Sequence, residues 1–354
     1  MNLKKPKNFA EAIRETLREE FLRDDSLILM GLGVNDPKGV FGTTLDLHKE
    51  FGKHRVIETP TSENAMLGVA IGLALAGHKV VSVHQRLDFF LLAMDQLVNG
   101  ASKWNFMFGN QTPIPITIRL VLGRGWGQGP THSQNLHALF THLPGVKVVM
   151  PSKANEVGPL LSSAINDPNP VIFLEDRWLH LQEIGEQNSS TKISLSSHAI
   201  VKEGSDVTII ASGFMTIESL RAAIALENMG ISAEVIDLRT LKPIDIDFLC
   251  KKVSKTKRVI IADSGPSFGN YGKEISYLLT KKLFKELILP PVVICSRDAH
   301  EPTSHGVIRE FKVTSLDIAK AIANIFGSEI GMEIVSSLVD DLADVPNIDF
   351  RGPF

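Results

Sequence analysis

The chain has 354 residues, enough for two domains of ordinary size, each with its own core. With 44% hydrophobic residues, 22% charged residues and a net charge of -3, it has a globular composition and lacks the basic field that nucleic acid requires. Cys250 and Cys295 lie far apart without Cys or His neighbours at ligand spacing, which argues against a disulfide framework and a zinc site and predicts buried free thiols in a reducing cytoplasm.

The opening stretch "MNLKKPKNFAEAIRETLREEF" turns from basic to an amphipathic charged helix and has no signal-peptide core. No apolar run reaches membrane-spanning length, since Val69 to Ala76 stops at "GHK". A cytoplasmic protein without membrane contact is expected. Short β-branched runs then alternate with helical stretches: "KVVSV" (79–83), "PITIRLVL" (115–122), "VKVVMP" (146–151) and "PVIFLE" (170–175). That alternation predicts an α/β domain with a buried, mostly parallel sheet over 1–184. The Ser-rich stretch 185–199 reads as a linker.

The alternation resumes with "DVTIIAS" (206–212), a helix over about 216–229, "SAEVIDL" (232–238), a helix after Pro243, "RVIIAD" (258–263), a helix after Tyr271, "PVVICS" (291–296) and a helix over about 315–326. These define a second, smaller α/β domain over 200–328, followed by a tail, 329–354, without periodicity. No Walker-type loop is present. The segment "GLGVND" (31–36) lacks the third glycine of a dinucleotide fingerprint, so nucleotide binding is not expected.

The segment "SENAMLGVAIGLALAG" after Thr61 predicts a helix with Ser62 as cap, Gly77 as stop and Glu63 in its first turn. An acid there complements the helix dipole without any further role. Yet Gly68, Ala70, Gly72, Ala74 and Ala76 imply close approach of other backbones rather than a surface helix, and a buried carboxylate needs a partner. Phe89 taken alone reads as ordinary core packing. His132 follows the Gly- and Pro-rich loop "GRGWGQGPTHSQ", which can approach a ligand closely.

Four long motifs, "GVF" with "FGKHRVIETPTSE" (39–63), "AMDQLVNGASK" (93–103), "THSQNLHALFTHLPGVKVVMPS" (131–152) and "VIDLRTLKPID" (235–245), resemble the beta subunit of the thiamine-diphosphate-dependent first component of 2-oxo-acid dehydrogenases, of pyruvate, branched-chain and acetoin types. The resemblance covers nearly the whole chain. It implies a transketolase-like pyrimidine-binding domain followed by a transketolase C-terminal-like domain. It also implies that Glu63 binds the cofactor's aminopyrimidine and promotes the imino tautomer that activates it. Phe89 matches the stacking aromatic, and His132 matches the histidine that handles the 2-oxo acid or the lipoyl group.

This chain lacks the "G-D-G" and "N-N" pair by which such enzymes hold the diphosphate through a divalent metal, so no metal ligands are assigned to it. The resemblance therefore implies an alpha-type partner carrying magnesium and the diphosphate, in a heterotetramer of two alpha and two beta chains. The apolar stretch 91–104 reads as subunit interface or as core.

Three departures stand out. Leu32 replaces a usual acid. His84 and Arg86 stand where acidic, apolar or aromatic residues are common, so both are candidate substrate contacts, with an Arg86 ion pair to Asp88 or a partner as the alternative. The tail differs from the family ending, which leaves a lipoyl acyltransferase core open as a partner. The leading expectation is a decarboxylating, acyl-transferring 2-oxo-acid dehydrogenase subunit. The alternatives are a split transketolase-like carboligase or decarboxylase acting on a sugar-derived or doubly anionic substrate, and a non-catalytic assembly subunit.

Overall fold

The computed structural model describes residues 6–124, 127–185 and 192–339. The contacts divide the chain into two compact units. Among the described residues, the first holds the chain up to Gly123 and Leu139–Leu195, and the second holds Arg124–Ala138 and the chain from Ser196 to Val339. The linker expected at 185–199 and the tail lie partly outside the described residues.

In the first unit a parallel sheet runs in the order β5 (Lys147–Val149), β6 (Val171–Asp176), β4 (Ile116–Leu122), β3 (Lys79–His84), β1 (Leu27–Gly31) and β2 (Val56–Glu58). Every residue of β1, β4 and β6 is buried, as expected of strands covered on both faces. The four strands anticipated in this unit are present, while β1 and β2 are additions. The helix Phe9–Arg23 is capped by Asn8, whose side chain accepts from Glu11 N at 2.9 Å, and buries Phe9, Ile13, Leu17 and Phe21 at four-residue spacing. It packs on the helix Ala154–Ile165. Gly158 makes that approach possible, because a Cβ there would lie 2.7 Å from Thr16 Oγ1.

The second unit is built on the order β12 (Val292–Ser296), β11 (Val259–Pro266), β8 (Val207–Ala211), β9 (Ala233–Asp237) and β7 (Ala199–Lys202), with β7 antiparallel to β9 and the other described pairs parallel. A short strand, β10, spans Thr240–Lys242. Helices Phe214–Glu227, Ile246–Thr256, Tyr271–Leu283 and Ser315–Ile325 pack on this sheet. Their starts are set locally: Asp245 accepts from Phe248 N, Asn270 accepts from Gly272 N, and Thr314 and Asp317 cap each other reciprocally. Cys250 and Cys295 are both free thiols, half-buried rather than buried as expected, and no helix among the described residues is long and apolar enough to cross a membrane.

Candidate active site

The predicted helix forms over Glu63–Leu75, with Ser62 at the capping position but making no side-chain capping bond. Its inner face is supplied by Met66, Leu67, Ala70, Ile71 and Ala74. The expectation that this is not a surface helix is corrected within the chain: Val69 is 55% exposed, Leu75 is exposed, and a Cβ on Gly72 would meet nothing within 4 Å. Val69, Gly72 and Leu75 thus leave an open apolar face, while Gly68 is covered by the Gln96 side chain. Glu63 sits half-buried at the head of this helix and has no hydrogen-bond or ion-pair partner among the described residues. A carboxylate with free lone pairs at a helix N-terminus can accept from, or share a proton with, an incoming nitrogen.

The same helix packs against the turn Leu91–Ala93 and the π-helical segment Gln96–Ala101. Gln96 Nε2 donates to Asn64 Oδ1 at 3.3 Å beside Glu63. Just ahead lies the short helix Leu87–Phe90, in which Leu87 and Phe90 are buried and Phe89 is 38% exposed. One aromatic anchors the helix and the other faces outward, a division that the run of two Phe residues did not reveal. Phe89 and Glu63 therefore belong to the same unit.

Arg86 and His84 have protein surroundings. Arg86 is buried, donates from Nη1 to Gly123 O at 2.9 Å and stands 6.0 Å from the centroid of Phe41. Burial lowers its pKa, with Asp88 and Asp176 opposing. Arg177 lies over the same Phe41 ring at 4.2 Å. His84 is buried, with Nε2 3.0 Å from Ser82 Oγ and its ring edge-on to Phe90; burial holds its pKa down at about 3, so it is a neutral core histidine.

His132 belongs to the second unit, in the segment Arg124–Ala138. Its side chain is half-buried, and Nδ1 lies 2.9 Å from Thr131 Oγ1. Five residues on, His137 is buried and reaches Asp263 through Nε2 at 3.1 and 3.2 Å. Sequence reasoning missed this pair because its members lie 126 residues apart. It also missed Glu58, which accepts from Gly33 N at 2.7 Å and Asn35 N at 3.2 Å and so holds the turn that contains Leu32. The only available signal was an acid ending a strand just before Glu63. The expected interface stretch presents Leu92 outward, and Phe106, just beyond it, is 83% exposed.

Residues 5–180 match the transketolase pyrimidine binding domain and residues 197–318 the transketolase C-terminal domain. The pyruvate dehydrogenase E1 component subunit beta of Rickettsia felis is 35% identical over 315 residues, which span 89% of this chain and 97% of that protein. The chain belongs to the E1 beta-subunit family of 2-oxo-acid dehydrogenases. The likeness extends across the E1 beta types. The mitochondrial 2-oxoisovalerate dehydrogenase subunit beta 2 of Arabidopsis thaliana is 37% identical over 300 residues, covering 84% of each chain. The acetoin:2,6-dichlorophenolindophenol oxidoreductase subunit beta of Cupriavidus necator is 36% identical over 296 residues, covering 79% of this chain and 87% of that one. A split-gene transketolase, solved as an inactive beta4 tetramer, shares the fold with a TM-score of 0.72 at 22% identity, over 92% of this chain and 100% of its own.

Membership of the E1 beta family implies dependence on thiamine diphosphate. The residues present fit that group. The accessible, unpartnered carboxylate of Glu63 suits a pyrimidine ring nitrogen, and the outward ring of Phe89 suits a flat heteroaromatic.

Proposed function

We propose that this chain is the beta subunit of an enzyme that decarboxylates a 2-oxo acid and passes the acyl group to a lipoyl carrier. The observation that carries this reading is Glu63, an unpartnered carboxylate at the head of an apolar helix inside a pyrimidine-binding domain. When bound, thiamine diphosphate supplies a nucleophilic carbon and an electron sink for decarboxylation. Glu63 hydrogen-bonds the pyrimidine nitrogen and holds a proton there, and Phe89 offers its ring as the stacking surface. His132 orients the substrate carboxylate or the incoming lipoyl group and moves a proton. Arg86 anchors Gly123, the residue just before the His132 segment, and His84 packs in the core, so neither is assigned a substrate contact.

The missing "G-D-G" and "N-N" pair supports an alpha-type subunit as the holder of the diphosphate and magnesium. Relatives named as beta subunits support a heteromeric assembly. The outward apolar residues Val69, Leu75, Leu92 and Phe106 supply surface for such a partner. The test is capture of this chain with its partner from the native extract, followed by assay of thiamine-diphosphate-dependent carbon dioxide release from a panel of 2-oxo acids. Turnover that disappears in Glu63→Ala supports the reading. Full turnover in that variant, or no cofactor-dependent turnover in the captured complex, overturns it.

A further inference from the structure

The segment Arg124–Ala138, which carries His132, is fastened to the rest of the second unit at both ends. At its start Arg124 Nη1 meets Glu301 Oε1 at 2.9 Å, with both side chains largely buried. At its end buried His137 donates from Nε2 to Asp263, whose Oδ1 also accepts from Gly265 N at 2.6 Å. Nδ1 of His137 has no partner among the described residues, so the Asp263 contact is what orients the ring. Between the two fastenings, Gly129 runs against Thr303 in a left-handed conformation. A half-open cavity of about 380 Å³ is lined by Gln134, Asn135 and Leu136 of the segment and by Ser296–Glu301.

We propose that His137 and Asp263, together with Arg124 and Glu301, are positioning residues that hold the His132 segment in its working geometry. This inference rests on the catalytic reading of His132. A buried ion pair is a weak source of net stability, but its two-point geometry restricts where the backbone can lie. Misplacement of a reacting group by about 1 Å costs on the order of 100-fold in rate, which is the scale of the effect. The pair is not itself in the chemistry. Its loss should lower kcat while leaving the KM for the 2-oxo acid nearly unchanged.

The test uses the full chain in complex with its partner subunit, in the variants His137→Ala, His137→Gln, Asp263→Asn, Glu301→Gln and His132→Ala. Glutamine places an amide nitrogen near the position of Nε2 and keeps the donor to Asp263, so His137→Gln should restore most of the turnover that His137→Ala loses. Amide hydrogen exchange over 127–138 should speed up in His137→Ala and Asp263→Asn, with exchange in β4 unchanged as the sign that the fold is intact. Glu301→Gln, at the more exposed end, should loosen the segment without threatening the core. The proposal is overturned if exchange over 127–138 is unaltered in these variants, or if the segment loosens while kcat stays at the wild-type value and His132→Ala abolishes turnover. Full turnover in His132→Ala overturns the catalytic reading of His132 and the proposal with it, whereas the exchange result judges the two fastenings separately.

Discussion

Arg119 on β4 and Glu175 on β6, two positions apart in the register, lock together Nε to Oε1 at 2.5 Å and Nη2 to Oε2 at 2.9 Å, with 1% and 0% of their side chains exposed. Two strands of the first unit are thus joined by a buried bidentate ion pair. His180 stands 3.4 Å from Glu175 Oε2 and completes the surroundings of the carboxylate. Burial and Arg177 outweigh Glu175 and hold His180 at a pKa of about 4, so it is neutral in the working range.

Arg119→Met leaves Glu175 buried without its cation and should cost about 3–5 kcal/mol, read as a fall in the urea midpoint. The double variant Arg119→Met with Glu175→Met should recover most of that loss, because no uncompensated charge remains.

The same pair gives the first unit an acid-sensitive stability. Burial pushes the Glu175 carboxyl up, but Arg119 and His180 outweigh it and hold the pKa at about 2, below the ordinary 4.5. A depressed carboxylate stabilises fully above its unfolded value and loses that contribution as pH falls through the folded one. Stability from this group should therefore be complete above about pH 4.5 and decline toward pH 2. Urea midpoints measured across that window should fall more steeply for the wild type than for the double methionine variant.

Glu63→Gln should remove most cofactor-dependent turnover while leaving thermal stability within about 0.5 kcal/mol, since the half-exposed carboxylate has no protein partner to lose. Turnover by the captured complex, set beside a melting curve, checks both halves of this expectation.

Neighbouring aromatics should separate cleanly. Phe90→Ala empties a fully buried position and should cost about 3–5 kcal/mol of stability. Phe89→Ala should cost little stability but raise the thiamine diphosphate concentration needed for half-maximal turnover, read by cofactor titration.

Gly129→Ala places a Cβ 2.2 Å from Thr303 Oγ1 at φ +64°, where L side chains are strained. A loss of about 1–3 kcal/mol in local stability is expected, visible as faster hydrogen exchange in the His132 segment.

Hydrophobic periodicity determined much of this protein by itself. The eight anticipated strands are present because each is a short β-branched run closed by turn residues, a local signal that burial reinforces. The helix at Glu63, its cap position and its stop were likewise local. Strands β1, β2, β7 and β10 were not anticipated: β2 and β10 have three residues each, and β7 begins in a polar stretch. The motifs around Glu63 and His132 carried the family membership, since several long matches in order do not arise by chance. Only the tertiary structure decided which of Phe89 and Phe90 faces outward, that His84 is core, and that Arg86 holds a carbonyl. It also decided that the helix of small residues keeps an open face and that His132 rides on the second unit. The physical reason is common to all of these: each depends on a contact between residues distant in the chain or on what covers a face, and neither quantity is periodic in the sequence.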